Sequence, residues 1–186
     1  MQPSHPQDLG LLRRLWHKRP GYHAPANNHQ PARREVQFAN AELLPAIVQL
    51  LNEGHTVTLN LRGYSMRPFL EDHRDKALLT KAREVHVGDP VLAEIRPTHF
   101  VLHRVVAIDG EAVTLRGDGN IGVEHCRLTD VKGSVIGFYR KSRETLDRTD
   151  GRKWKTYSWL WMRLLPLRPY LLAFYRRVWI PLLGPC

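Results

Sequence analysis

Between His55 and Lys141 apolar side chains return at every second position, interrupted only by short turn signals, and this rhythm leaves few options for the fold. Val57, Leu59 and Leu61 alternate with Thr56, Thr58 and Asn60. Successive side chains of a strand point to opposite faces, so such alternation marks a half-buried strand. Further strand-like runs lie at Lys76 to Thr80, Pro90 to Ile95, Phe100 to Ile108, Ala112 to Arg116 and Ser134 to Lys141. They are separated by Gly88-Asp89-Pro90, Asp109-Gly110 and Gly117-Asp118-Gly119-Asn120. Asp109-Gly110 between two apolar runs predicts a hairpin, because a type I′ turn needs positive φ at both central residues. The region from 55 to 141 therefore reads as mainly antiparallel β.

The flanks follow other rules. Residues 1–34 are rich in Pro, His, Asn and Arg without apolar periodicity and read as a mobile basic arm. After Asn40, the residues Leu43, Leu44, Ile47, Val48, Leu50 and Leu51 form an i, i+3, i+4 stripe that stops at Gly54. This predicts a short amphipathic helix, with Pro45 pointing to a start later than Asn40. The β region with this helix spans 35–141, and a tail follows at 142–186. In the tail no acidic residue occurs after Asp150, while seven basic residues mix with four of the five tryptophans. Pro166, Pro169 and Pro181 divide it, so Thr156 to Leu165 and Tyr170 to Ile180 are each expected to form a short helix. Basic and aromatic residues mixed in this way suit an anionic membrane surface, and the alternative is a tail that packs back on the β domain.

Composition removes several classes. The 186 residues suffice for one domain with a sizeable core plus extensions. Two cysteines, Cys126 and Cys186, give neither a disulfide framework nor a Cys-x-x-Cys metal signature. His73, His86, His99 and His125 have no metal-ligand spacing with one another or with Cys126, so no metal and no cofactor is expected. The net charge of +10 implies attraction to anionic partners. No helix-turn-helix, zinc or RNA-recognition signature directs that charge to nucleic acid. Asp8, Arg13, Arg14, His17, Lys18 and Arg19 interrupt the pairs Leu11-Leu12 and Leu15-Trp16, so no signal peptide is recognised, and no run is long enough to span a bilayer. A cytoplasmic or peripherally membrane-associated protein is expected.

The chemistry concentrates in two segments, Gly63-Tyr64-Ser65-Met66-Arg67-Pro68-Phe69-Leu70 and Leu102-His103-Arg104-Val105-Val106. Serine becomes a nucleophile when a neighbour takes its proton, and neutral imidazole suits that task at physiological pH. Ser65 follows a strand, where a turn with Pro68 lets its hydroxyl project. His103 shares a strand face with Val101 and Val105, while Phe100, Leu102 and Arg104 occupy the other, and apolar neighbours favour its uncharged form. A carboxylate must orient such a base.

Taken in order, Gly63 to Leu70, Val87 to Leu92, Leu102 to Val106 and Arg116 to Asn120 resemble the boxes of the signal peptidase I and LexA-like serine peptidase superfamily. The resemblance covers about residues 55 to 140 and implies that superfamily's antiparallel β domain. It implies Ser65 as nucleophile and His103 as base, as in the Ser/His signal peptidases of the endoplasmic-reticulum and archaeal type. Asp118 matches the Gly-Asp of the last box and Glu124 falls where the supporting acid is expected; either could hold the His103 tautomer, with Asp118 favoured at the site. Gly63 replaces the small hydroxyl residue usual two positions before the nucleophile, leaving the Ser65 backbone N–H as oxyanion donor. The N-terminal membrane anchor of typical members is not recognised. The dipeptides Ala-Gly and Cys-Gly, at which LexA-like proteins cut themselves, do not occur. Lys76 and Lys81 are rival bases that read better as solvated charges flanking a strand. The expectation is a serine endopeptidase acting on a peptide or protein precursor bound in extended form along a strand edge. The alternative is an inactive peptide-binding or membrane-docked partner of the same fold.

Overall fold

The computed structural model of the protein describes residues 40–185, with side chains from Leu43 onward. The basic arm predicted at 1–34 lies outside these residues. Helix α1 (Asn40–Asn52) starts at Asn40 with Pro45 inside it, not after it. At the sixth residue Pro45 forfeits a single intrahelical bond, to the Ala41 carbonyl, and the helix tolerates this because Ile47 and Leu51 anchor it in the core.

Eight strands follow: β1 (Val57–Asn60), β2 (Lys76–Lys81), β3 (Pro90–Arg96), β4 (His99–Asp109), β5 (Ala112–Arg116), β6 (Glu124–Arg127), β7 (Val131–Tyr139) and β8 (Leu146–Arg148). They form one sheet in the order β1-β2-β7-β3-β4-β5-β6, and every pairing is antiparallel. β8 pairs with the end of β7, and β6 and β8 were not foreseen. The hairpin between β4 and β5 forms, but its turn is displaced by one residue. Asp109 is still paired, with Ala112, so Gly110 and Glu111 make the turn. Only Gly110 has positive φ, 54°, which fits a II′ turn with glycine first rather than the expected I′.

Two apolar clusters lie on opposite faces of β3 and β4. One gathers Ile47, Leu51, Met66, Phe69, Leu79, Leu92, Phe138 and Trp154, with Phe100 and Leu102 against it. The other holds Val91, Ala93, Val105, Val113, Leu115 and Val131, with Val101 beside it. Neighbours in sequence thus divide between clusters, Leu92 to one and Val91 and Ala93 to the other, as the period of two requires.

The tail forms α2 (Arg152–Arg163), a short tight turn, α3 (Arg168–Phe174), a wide π turn (Tyr175–Trp179) and α4 (Ile180–Leu183). Pro181 does not end the helical path as expected; it sits in the first turn of α4, where a missing N–H costs least. Trp154, Ser158 and Trp161 are buried at helical spacing on α2, and Tyr157 packs against the first cluster. The opposite side of the tail remains open, with Trp159, Leu167, Tyr170, Phe174, Leu182 and Leu183 all exposed. No helix among the described residues is long and apolar enough to cross a membrane.

Candidate active site

Ser65 lies in the long turn from Leu61 to Asp75 that joins β1 to β2. Hydrogen bonds from Leu61 N–H to Asp75 O (3.0 Å) and from His73 N–H to Leu61 O (3.0 Å) close its ends. Met66, Phe69 and Leu70 root its middle in the first cluster. Asp75, fully buried, accepts from the N–H groups of Glu71 (2.9 Å) and Lys141 (2.8 Å) and from the Arg74 guanidinium. Burial opposes its charge, yet these donors hold the carboxyl below the usual carboxylate range. Arg67 grips Glu71 one helical turn on, and Arg140 donates to Phe69 O (2.9 Å) while stacking 3.6 Å over the Phe69 ring. The serine therefore stands on a clamped turn rather than a free loop. Gly63, at φ 84°, holds a left-handed conformation that a residue with a side chain would adopt only with strain.

The Gly-Asp-Gly-Asn segment after β5 packs directly on this turn. Gly119 N–H donates to Ser65 O at 2.7 Å. A Cβ on Gly117 would come within 3.0 Å of Ser65 Cβ and nearer still to Ser65 O, and one on Gly119 would come within 2.5 Å of Tyr64 O. Both glycines are thus demanded by closeness of approach. This contact fixes where His103 stands. The last ladder pair of β4 and β5 is Arg104 with Arg116, so one step further His103 faces Gly117. Directly opposed residues carry their Cβ atoms about 5 Å apart on one face. Ser65 fills the space over Gly117, one residue past the end of the β4–β5 ladder. No hydrogen bond joins Ser65 Oγ to the imidazole; in unliganded sites such bonds are often long and tighten only around substrate.

Behind the ring stands Glu124. Its Oε2 is hydrogen-bonded to His103 Nδ1, leaving Nε2 for proton exchange. Glu124 pairs with Leu115, which pairs with Val105, so the carboxylate reaches His103 along a single face. His103 is 3% exposed, and burial pushes its pKa below the usual value of about 6.5, while the Glu124 charge and hydrogen bond and, less strongly, Asp118 oppose that shift. A neutral, oriented imidazole is competent as a general base.

Asp118 has a different position. It faces away from His103 and binds Arg104, the next residue of β4, at 2.8 and 2.7 Å. Tyr157 Oη donates to the same carboxylate (2.9 Å) and Trp161 Nε1 to the Asp118 carbonyl (3.1 Å). Arg104 also donates to Gly88 O (3.0 Å), meets Ser158 Oγ and lies 4.5 Å over Trp154. Of the two carboxylates weighed for His103, Glu124 touches the ring and Asp118 holds the box beneath Ser65. The reason is alternation: Arg104 points to the face opposite His103, and a buried guanidinium there needs a carboxylate. Compared with protein-family models, the chain matches none. No curated protein matches it either.

Sequence reasoning missed Tyr157, Ser158, Trp161 and Arg176, the last donating to Gly119 O at 2.8 Å. The i, i+3, i+4, i+7 stripe Trp154, Tyr157, Ser158, Trp161 was the signal that could have revealed the inward face of α2. Lys76 and Lys81 are exposed at the two ends of β2. No group of histidines, cysteines and carboxylates able to hold a metal occurs among the described residues.

Proposed function

We propose that the protein is a serine endopeptidase of the Ser/His signal peptidase type, with its β domain belonging to the signal-peptidase and LexA-like fold. The observation that supports this reading is the junction of Gly117 and Gly119 with the Ser65 turn, at the end of the strand pair that carries His103, together with the hydrogen bond between Glu124 and His103 Nδ1. In the proposed reaction, His103 Nε2 takes the Ser65 hydroxyl proton as Oγ attacks the scissile carbonyl. The oxyanion of the tetrahedral intermediate meets the Ser65 N–H, which no hydrogen bond within the turn consumes. His103 then gives its proton to the leaving amine, and water hydrolyses the acyl-enzyme by the reverse proton path. The substrate is an extended peptide or precursor segment, received by the cleft of about 380 Å³ that runs from Gly119 to Glu124 beneath Arg176. Exposed Ile121 and Val123 in its wall favour apolar side chains on that peptide.

Reaction of the full chain with a fluorophosphonate probe, mapped by mass spectrometry, tests the reading. Wild type should be labelled at Ser65, Ser65→Ala should not be, and His103→Ala should slow labelling by at least about 100-fold. An unlabelled wild-type Ser65 would sink the peptidase and favour an inactive peptide-binding partner of the same fold.

The open side of the tail supports a second element of function, residence at an anionic membrane surface. Trp159, Leu167, Tyr170 and Phe174 are exposed in the tail together with Arg163 and Arg177, with no acidic residue after Asp150. Co-sedimentation with phosphatidylglycerol vesicles, weakened by salt and absent with phosphatidylcholine, is the expected result; equal binding to both would remove the electrostatic part.

A further inference from the structure

Three arginines crowd the layer between the sheet and the tail, but one carboxylate answers them. Arg104 and Arg116 are directly opposed on β4 and β5 and therefore point to the same face, towards α2. Arg168, at the start of α3, lies 5.2 Å over the ring of Trp161, which stacks on Tyr157 in the same layer. Asp118 is bound on both oxygens by Arg104. Arg116 and Arg168 form no ion pair among the described residues. Arg168 is 2% exposed, and its one hydrogen bond is a long one from Nη2 to Trp161 O at 3.4 Å. Its Nε and Nη1, and the Nε of Arg116, are buried without a partner.

Each of these facts is unfavourable in isolation. A guanidinium is always charged, and a buried donor left unmade loses its water without recompense. Arg168 is pushed below the ordinary arginine range first by burial, and Arg116 and Arg104 press it further in the same direction, against the opposing pull of Asp118. A tetrahedral oxyanion would satisfy these unpartnered donors, since phosphate presents several acceptors to guanidinium groups. We propose that the space between the end of β5 and the start of α3 is a binding site for a phosphate group, held by Arg116 and Arg168. Arg116 is only half-buried and forms the way in from solvent. Exposed Leu167 and Tyr170 flank Arg168 in sequence, so the same site admits either free phosphate or the phosphate of an anionic lipid whose chains lie along the tail.

Thermal unfolding of the full chain at constant ionic strength, with chloride exchanged for inorganic phosphate, is the test. The expected wild-type Tm rise is about 5 °C or more at phosphate roughly 100 times the dissociation constant. Arg168→Met and Arg116→Gln should each abolish the rise, and in chloride alone Arg168→Met should melt no lower than wild type, because it removes an unpaired buried charge. If Arg168→Met does not fold, the half-buried Arg116→Gln carries the test alone. A second arm replaces phosphate with soluble dihexanoyl phosphatidylglycerol: a rise with the lipid but not with phosphate assigns the lipid as source, and a rise with both assigns the oxyanion itself. No rise with either, or equal rises in wild type and variants, overturns the site. Ser65→Ala should keep the full response, so failure of this inference and failure of the peptidase reading are separate results.

Discussion

His103 and Arg104 are neighbours in sequence, yet they hold two carboxylates in contacts of opposite character on the two faces of β4. On one face His103 meets Glu124, whose side chain is 33% exposed. On the other Arg104 meets Asp118, with both side chains essentially closed to solvent. In the first pair Glu124 lines the cleft while the ring behind it is buried; the second is sealed by Tyr157, Trp154 and Trp161 and holds the backbone on which Ser65 rests. A buried pair is costly to break and an accessible one is free to exchange protons, so one strand separates support from chemistry by alternation alone.

The sharpest way to break this contrast is to remove one carboxylate at a time. Asp118→Ala leaves Arg104 charged and unpaired in the interior and should lower unfolding free energy by about 3–5 kcal/mol, read by denaturant titration. A loss below about 1 kcal/mol would mean that the pair is not sealed. Glu124→Gln should change stability far less but cut the rate of serine acylation by about 10² to 10⁴, because the tautomer and the imidazolium both lose their support. Tyr157→Phe removes one donor to Asp118 without emptying space, and should cost about 1 kcal/mol in the same titration.

The smallest effect concerns pH. Burial lowers His103 below about 6.5, so the unfolded chain binds its proton first as pH falls. Stability from this group is fully present above about pH 6.5, is lost below it, and the loss levels off once the folded ring protonates. The acid limb of the rate profile should therefore lie below pH 6.5. Glu124 raises the His103 pKa, so Glu124→Gln should move that limb to still lower pH. A limb that stays in place would detach Glu124 from the base.

Much of this was legible in the chain. Strands β1 to β5 and β7 and the face of His103 follow from alternation, because burial on one face leaves a period of two. Strands β6, Glu-His-Cys-Arg, and β8, Leu-Asp-Arg, were not legible because they are too short and polar to show that period. The pairing of Asp118 with Arg104 was not read for a related reason. Its partner is set by the face of Arg104, and an arginine within an apolar strand already called for a carboxylate on the far side of His103. In the tail, inward Trp154 and Trp161 alternate with outward Trp159, so composition registered aromatics and arginines together and concealed that one stripe belongs to the core.

The grip of Tyr157, Trp161 and Arg176 on residues 118 and 119 also sets an order in time. During synthesis Ser65, His103 and Glu124 all emerge before the helices that brace them. The nascent β domain holds every reactive group while Arg104 still lies open to water and the turn bearing Ser65 lacks its back wall. On the proposed peptidase reading, competence then arrives as a late folding event, more than fifty residues after His103 has been made, and a chain interrupted within α2 would carry Ser65 without its bracing helices.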